Sequence, residues 1–280
     1  MVADPPGAGV PPPASPPPPP PPGAPIADDA VQLRGLGKRF GEIAAVDAID
    51  LRVPSGSFFA IVGVNGAGKT TTLRMTTGLL RPDTGQVLIE GRDVWGEPES
   101  VKARIGVLPD DLRLFDRLRG GELLTYAGLL RGLDAAIVEE RAGQLIEVLD
   151  LAAAADAFVV DYSHGMRKKI ALAAALLHAP QVVFLDEPFE GIDPVSARTI
   201  RTVLQRFTAA GGTVVLSSHV MALVEQLCDH VAIIDRGRVV AAGAVPAVAG
   251  GRSLEGVFID LVGGRELGEE ALPWLGSSSG

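Results

Sequence analysis

The chain has 280 residues, of which 47% are apolar and 21% are charged, and its formal net charge is −9. This length and balance predict one large globular domain, or a domain with a subdomain. The acidic charge disfavours a nucleic-acid-binding surface, because such a surface is basic. Cys228 is the only cysteine, which excludes an internal disulfide and favours a reducing compartment.

No stretch of the sequence is apolar for long enough to cross a bilayer. The longest apolar run covers residues 170–177, whereas a membrane-spanning helix needs about 20 residues. The N-terminus also lacks the basic and apolar regions of a secretory signal. If the protein works at a membrane, we expect other chains to supply the membrane spans.

Residues 1–27 are rich in proline and low in complexity, with 13 of the 22 prolines of the chain. Such a segment cannot bury apolar surface, and we expect a disordered, solvated tail with polyproline II character. A ligand for a proline-binding module is the alternative interpretation. The patterned part of the chain, residues 28–245, is predicted to be a single α/β domain, followed by a helical and flexible tail over residues 246–280.

The motif that organises this domain is the glycine-rich loop G-V-N-G-A-G-K-T at residues 63–70. It follows an apolar run, residues 58–62, that predicts a buried strand, and it precedes a predicted helix. Glycines let successive N–H groups converge on phosphate oxygens, and the start of a helix favours an anion. The spacing matches G-x-x-x-x-G-K-[ST], in which the Lys reaches the β- and γ-phosphates and the Thr ligates Mg²⁺. The predicted nucleotide-binding residues here are Gly63, Asn65, Gly66, Ala67, Gly68, Lys69, Thr70 and Thr71, with Thr70 also a metal ligand.

Beyond this loop, a short strand over residues 105–108 ends at Pro109. Residues 110–165 then show helical periodicity without a strand pattern, which predicts an inserted helical subdomain. The remaining elements alternate, and this alternation predicts a largely parallel sheet covered on both faces. The predicted elements are strands over 182–185, 213–216 and 231–234 and helices over 166–178, over 194–208 and from Val220.

The strand over 182–185 ends in the acidic pair Asp186-Glu187, which is followed by Pro188. A carboxylate at a strand end can hold Mg²⁺ beside a triphosphate, and this role fits Asp186. Glu187, the next residue, is the predicted general base that polarises the attacking water. Without the phosphate loop, the same residues would equally fit a plain turn at a strand end.

The stretch Y-S-H-G-M at residues 162–166 precedes a predicted helix. Ser163 is a typical N-cap residue, because its hydroxyl satisfies an unpaired N–H group of the first turn. Gly165 allows close approach, so this helix start can also bind a phosphate group.

The order of these motifs resembles the nucleotide-binding subunit of ABC transporters, over residues 30–262. The resemblance implies a P-loop NTPase core with a mostly parallel central sheet, an antiparallel β subdomain and an inserted helical subdomain. It implies that Phe40 stacks on adenine and that His219 contacts the γ-phosphate, so that Glu187, His219 and Lys69 are the catalytic residues. It also implies that Ser163, His164, Gly165 and Asp193 face a second subunit, where Ser163 and Gly165 cap the nucleotide.

The resemblance further implies ATP hydrolysis with Mg²⁺, a second ATPase subunit and membrane-spanning permease subunits, without nucleic acid. The protein would then be cytoplasmic and peripheral, on the inner face of the cell membrane. Two departures stand out. The usual L-S-G-G-Q is Y-S-H-G-M here, which resembles the exporter branch. Asp110 replaces the usual Gln and can ligate Mg²⁺ or a water, but it cannot donate as an amide does.

Two other functions stay open on the sequence alone. One is a soluble ABC-type ATPase that acts as an assembly or mechanical factor without a membrane partner. The other is a nucleotide sensor without useful turnover, against which intact Asp186, Glu187 and His219 argue. An ATPase assay distinguishes a nucleotide sensor from an enzyme that hydrolyses ATP. Identification of a membrane partner distinguishes a transporter subunit from a soluble factor.

Overall fold

The computed structural model describes residues 29–263. The predicted proline-rich tail and the end of the predicted C-terminal tail lie outside the described residues. The strands are β1 (Asp29–Phe40), β2 (Ile43–Pro54), β3 (Phe58–Val62), β4 (Thr84–Ile89), β5 (Arg92–Asp93), β6 (Ile105–Leu108), β7 (Val182–Leu185), β8 (Thr213–Ser218), β9 (His230–Asp235) and β10 (Arg238–Ala244). The helices are α1 (Lys69–Thr76), α2 (Pro98–Lys102), α3 (Gly120–Leu130), α4 (Ala135–Val148), α5 (His164–Leu176), α6 (Pro194–Ala209), α7 (Met221–Leu227), α8 (Val245–Ala249) and α9 (Leu254–Val262).

The larger of two sheets has six strands in the order β10-β9-β3-β8-β7-β6. All its neighbouring pairs are parallel except β10 with β9, which form an antiparallel edge. Because β3, β7 and β8 run in the same direction, the loops that follow them emerge at one edge of the sheet. This edge therefore collects the glycine-rich loop, the acidic pair and His219.

The central strand β3 is buried along its whole length, and its side chains alternate between two cores. Phe58, Ala60 and Val62 join the core that lies under α3, α5 and α6. Phe59 and Ile61 join the core shared with the second sheet. The predicted sheet with both faces covered is thus confirmed.

The second sheet is antiparallel, with the order β2-β1-β4-β5. Leu33 and Leu36 of β1 and Ile49 of β2 are buried against the larger sheet. Residues 109–163, all within the described part of the chain, contain α3 and α4 and no strand. The predicted fold class, an α/β core with an antiparallel sheet and a helical insertion, is therefore confirmed, while the exact domain limits stay predictions.

Some bounds differ from those predicted. Helix α5 begins at His164, two residues earlier than expected, because Ser163 already caps it. Strand β8 continues to Ser218, since its register with β3 extends to the end of that strand. The sequence pattern does not predict strand β10. It is a half-exposed edge strand of one arginine followed by valine, alanine and glycine, and its sequence lacks the strong alternation of apolar and polar residues that marks a strand.

Among residues 29–263, none of the helices has the length and apolar character required to cross a bilayer.

One histidine makes the stability of the fold depend on pH. His178 lies just after α5. Its Nε2 atom is 3.0 Å from the Arg131 guanidinium and 2.9 Å from the Ile105 carbonyl oxygen. Burial lowers the pKa of His178 to about 4, and the charge of Arg131 acts in the same direction. Because the folded-state pKa lies below the unfolded value, protonation favours the unfolded chain, and stability falls as the pH drops from about 6.5 towards 4.

We expect the free energy of unfolding to fall by about 2 kcal/mol between pH 7 and pH 5 through His178 alone. Urea titrations at the two pH values measure this drop. In His178→Gln the drop should shrink by that amount, since no titrating group is left at the site. An equal pH dependence in both proteins would assign the effect to other groups.

Candidate active site

The glycine-rich loop connects β3 to α1 through a backbone that few other residues could adopt. Gly66 and Gly68 have φ values of +83° and +108°. A Cβ atom on Gly68 would lie 2.5 Å from the carbonyl oxygen of Ala45, so the loop tolerates no side chain there. Gly68 is also the N-cap of α1, and no side chain of the described residues caps this helix. Its first N–H groups are therefore free to bind an anion.

Lys69, at the first position of α1, is buried and holds the loop from inside. Its ammonium donates to the carbonyl oxygen of Gly63 over 2.9 Å and lies 3.4 Å from that of Val64. The same Nζ is 3.6 Å from Oε1 of Glu187. The ammonium thus lies between the loop and the acidic pair, where it can meet a terminal phosphate.

The predicted metal ligands Thr70 and Asp186 lie side by side. The Thr70 hydroxyl donates to Oδ1 of Asp186 over 3.3 Å, and the Ser217 hydroxyl donates to the same oxygen over 2.6 Å. Asp186 is buried. A hydroxyl and a carboxylate at this spacing are hard oxygen ligands of the kind that Mg²⁺ takes beside a phosphate, so the pair fits this ion.

Glu187 is held in an unusual backbone conformation, with its carboxylate between the side chains of Lys69 and His219. Its φ is +46°, in the left-handed region that a residue with a side chain seldom occupies. Its N–H donates to the Ser217 hydroxyl over 2.8 Å. Oε2 of Glu187 is 3.1 Å from Nδ1 of His219, and Oε1 faces Lys69. The structure therefore brings the three predicted catalytic residues together, with backbone strain at the residue predicted to be the base.

Phe40 and Asp110 are exposed. The Phe40 side chain is 52% accessible at the end of β1, and the Lys38 ammonium lies 5.8 Å from its ring centroid. Such an exposed ring can stack on a planar base. Asp110 lies two residues after β6, and its carboxylate makes no hydrogen bond within residues 29–263. Their roles stay predictions.

The start of α5 packs against the loop that follows the acidic pair in the same chain. Ser163 caps α5 by accepting the N–H of Met166 over 3.2 Å, and it is exposed. A Cβ on Gly165 would lie 2.9 Å from Oγ of Ser196 and 3.2 Å from Oδ2 of Asp193. Gly165 thus lets helices α5 and α6 approach closely.

Asp193 has a structural role of its own, because its Oδ1 accepts the N–H groups of Val195 and Ser196, both over 2.9 Å. These bonds hold the pKa of Asp193 below its usual value. His164 lies near Gly191, since its Nε2 is 3.4 Å from the position of a Cβ on that glycine. Of the predicted inter-subunit residues, Ser163, His164 and Asp193 are therefore exposed and close together, whereas Gly165 is buried against α6, and contact with a second chain stays a prediction.

Two residues of this site, Ser217 and Lys168, are not among those that the motifs predict. Ser217 links both acidic residues, and the run S-S-H at the end of a strand is a signal for it. Lys168 donates to the carbonyl oxygens of Glu187 and Glu190. Since these acceptors are backbone atoms 19 and 22 residues away, no sequence pattern marks the contact.

Comparison with known proteins identifies the family. The family described as ABC transporter matches residues 46–190. Over 214 residues, the chain is 41% identical to the daunorubicin/doxorubicin resistance ATP-binding protein DrrA of Streptomyces peucetius, covering 76% of this chain and 65% of that protein. It is 38% identical to the Nod factor export ATP-binding protein I of Cupriavidus metallidurans, covering 76% of this chain and 70% of that protein. The matched region thus spans about two thirds of these relatives.

Among solved structures, one described as the ATP binding subunit of an ABC transporter superposes with a TM-score of 0.78 at 28% identity, covering 83% of this chain and 99% of the other. The resemblance inferred from the order of the motifs is confirmed. The chain belongs to the ABC transporter family and has the fold of its ATP-binding subunits.

Proposed function

We propose that this protein is an ATP-hydrolysing subunit that powers export through separate membrane-spanning subunits. The observation that carries the proposal is the convergence of Lys69, Glu187 and His219 at the edge where the glycine-rich loop ends. The relatives support the direction of transport, because the names of two of them refer to drug resistance and to the export of Nod factors.

In this proposal the loop N–H groups, the start of α1 and Lys69 hold the β- and γ-phosphates. Fixed donors of this kind stabilise the charge that spreads over the transferred phosphoryl group. Thr70 and Asp186 would hold Mg²⁺, which neutralises phosphate charge when bound. Phe40 stacks on the adenine, and Asp110 contributes a ligand to the metal or its water.

Glu187 acts as the general base. It accepts a proton as the water oxygen bonds to the γ-phosphorus, and the bond from that phosphorus to the bridging oxygen breaks to leave ADP and phosphate. Lys69 and His219 flank the carboxylate and keep both its oxygens oriented. The strained backbone at Glu187 is typical of a functional residue, because the orientation of its side chain is kept at a cost to the stability of the fold.

The working form is a pair of ATPase subunits in which Ser163 and Gly165 of one copy cap the nucleotide on the loop of the other. The exposed Ser163, with the exposed His164 and Asp193 close to it, supports this arrangement. A two-fold pairing uses the same surface on both copies. Nucleotide binding then closes the pair and hydrolysis opens it, which is the motion passed to the permease at the inner face of the membrane.

A steady-state assay of phosphate release by the purified protein with Mg²⁺ and ATP tests the proposal. We expect turnover that increases when a multi-span membrane protein, found encoded beside it or co-purifying with it, is reconstituted with it in vesicles. ATP binding without turnover would indicate a sensor. Turnover that no such membrane protein binds or changes would indicate a soluble ABC-type factor.

A further inference from the structure

Lys168 is a buried lysine whose charge is not used by the chemistry described above. Its side chain is 2% exposed, and lysines are almost never so buried without partners. Its ammonium donates to the carbonyl oxygen of Glu187 over 2.5 Å and to that of Glu190 over 2.8 Å. Burial lowers the pKa of Lys168, while the negative charges of Glu190, Asp110, Glu187 and Asp186 act against this shift. The ammonium is therefore placed where acidic groups surround it.

The two carbonyl groups are the two ends of one tight turn. The Glu190 N–H donates a hydrogen bond to the Glu187 carbonyl oxygen over 3.3 Å, and this bond closes the turn. Lys168 joins both ends from outside. Together with the Ser217 hydroxyl on the Glu187 N–H, it fixes the peptide groups on both sides of the left-handed residue. The direction of the Glu187 carboxylate follows from these two anchors.

Lys168 also belongs to α5, the helix that Ser163 caps. A helix is stiff over a turn or two, so the exposed start of α5 and the turn at Glu187 are connected through five residues and one ammonium group. The structure has no comparable side-chain bond from α5 to Glu187 among residues 29–263.

We propose that Lys168 is a positioning residue for hydrolysis. It holds the turn from Glu187 to Glu190. The Glu187 carboxylate is therefore directed at the attacking water only when α5 occupies the position in which Lys168 reaches this turn. The inference rests on the proposed function, because it concerns the base of that same reaction. It adds a link by which contact at Ser163 reaches the base.

The test replaces the ammonium with an apolar side chain of similar length, in Lys168→Met. We expect kcat for ATP hydrolysis to fall at least about tenfold and KM for ATP to change less than about threefold, since a misplaced group costs rate and the phosphate loop is untouched. The matched control is Lys169→Met. Lys169 is the next residue on the same helix and is 4% exposed, but its ammonium lies 3.9 Å from Asp150 and makes no hydrogen bond to the turn within residues 29–263. Its kcat should stay within about twofold of the wild type.

A second measurement separates positioning from a general loss of structure. In the Glu187→Gln background, single-turnover hydrolysis should fall less than about twofold on adding Lys168→Met, because Lys168 acts through Glu187. An equal tenfold loss in both backgrounds would overturn the proposal, as would a Lys168→Met protein as active as Lys169→Met.

If Lys168→Met does not fold, Lys168→Gln serves in its place. The uncharged amide ends one bond short of the ammonium and holds the two carbonyl groups less tightly, so its kcat should fall about three- to tenfold with nucleotide affinity kept, and an unchanged kcat would overturn the proposal. Absence of ATP turnover in the wild-type protein would refute the proposed function itself. Normal turnover with an unaffected Lys168→Met would refute this inference alone.

Discussion

Replacing Glu187 with Gln is expected to lower the steady-state rate of ATP hydrolysis by about 10²–10³-fold while ATP affinity changes little. The amide keeps the size of the side chain and can still contact His219, but it cannot accept a proton from water. Because hydrolysis is the step that opens the pair, the variant should accumulate as an ATP-bound dimer. Phosphate release measures the rate, and gel filtration with and without ATP measures the dimer.

Glu190→Gln is the matched control for this substitution. The Glu190 carboxylate lies within 4.8 Å of the ligand atoms of Glu187 and His219, so it is the nearest rival for the role of base. We expect Glu190→Gln to retain at least about a third of the wild-type rate, because the ion pair that Lys69 makes within residues 29–263 is with Glu187. The reverse pattern would make Glu190 the base and remove Glu187 from that role.

The second large effect is expected from Ser163→Arg, which should abolish hydrolysis and leave nucleotide binding by the single subunit intact. A long cationic side chain at the start of α5 would prevent a second copy from closing over the nucleotide. Isothermal titration with a non-hydrolysable ATP analogue measures binding, and phosphate release measures turnover.

Ser253→Arg is its control. Ser253 caps α9 as Ser163 caps α5, by accepting the N–H of Gly256 over 3.1 Å, and it is also exposed. Both substitutions remove an N-cap bond of about 1 kcal/mol, so any difference between them reports on the position and not on the lost cap. Ser253→Arg should hydrolyse ATP normally.

Mixing two inactive variants tests whether the site is shared between copies. A pair made of one Ser163→Arg subunit and one Lys69→Ala subunit has one nucleotide site with both residues intact. The mixture should therefore hydrolyse ATP faster than either variant alone. A mixture no faster than its components, together with normal turnover of Ser163→Arg, would show that each subunit works by itself.

The parts of the fold that could be predicted from the sequence are those with a local cause. The apolar run before Gly63 and the glycine spacing predicted β3, the loop and α1, and the acidic pair after a second apolar run predicted the end of β7. Because parallel strands end at one edge, the meeting of Lys69, Asp186 and Glu187 followed from the order of the elements.

The rest depends on tertiary contacts. Strand β10 forms because it pairs with the edge strand β9, whereas its own sequence has no pattern that predicts a strand. The hydrogen bonds of Ser217 and Lys168 join residues that are far apart in the sequence. Those of Lys168 cannot be predicted from residue type, because every residue has the backbone carbonyl group that accepts them. The left-handed conformation of Glu187 is likewise imposed by its neighbours, since glutamate does not favour it.

The alternation of β3 between two interiors makes the phosphate loop sensitive to distant damage. One core contains Phe58 and Val62, and the other contains Phe59 and Ile61. Because protein interiors are close-packed, a displacement in either core is transmitted to the residues around it. A void opened in either core, far from the nucleotide, would shift β3 and with it the loop that begins at Gly63. Weakened ATP affinity can thus arise from a substitution that never touches the ligand.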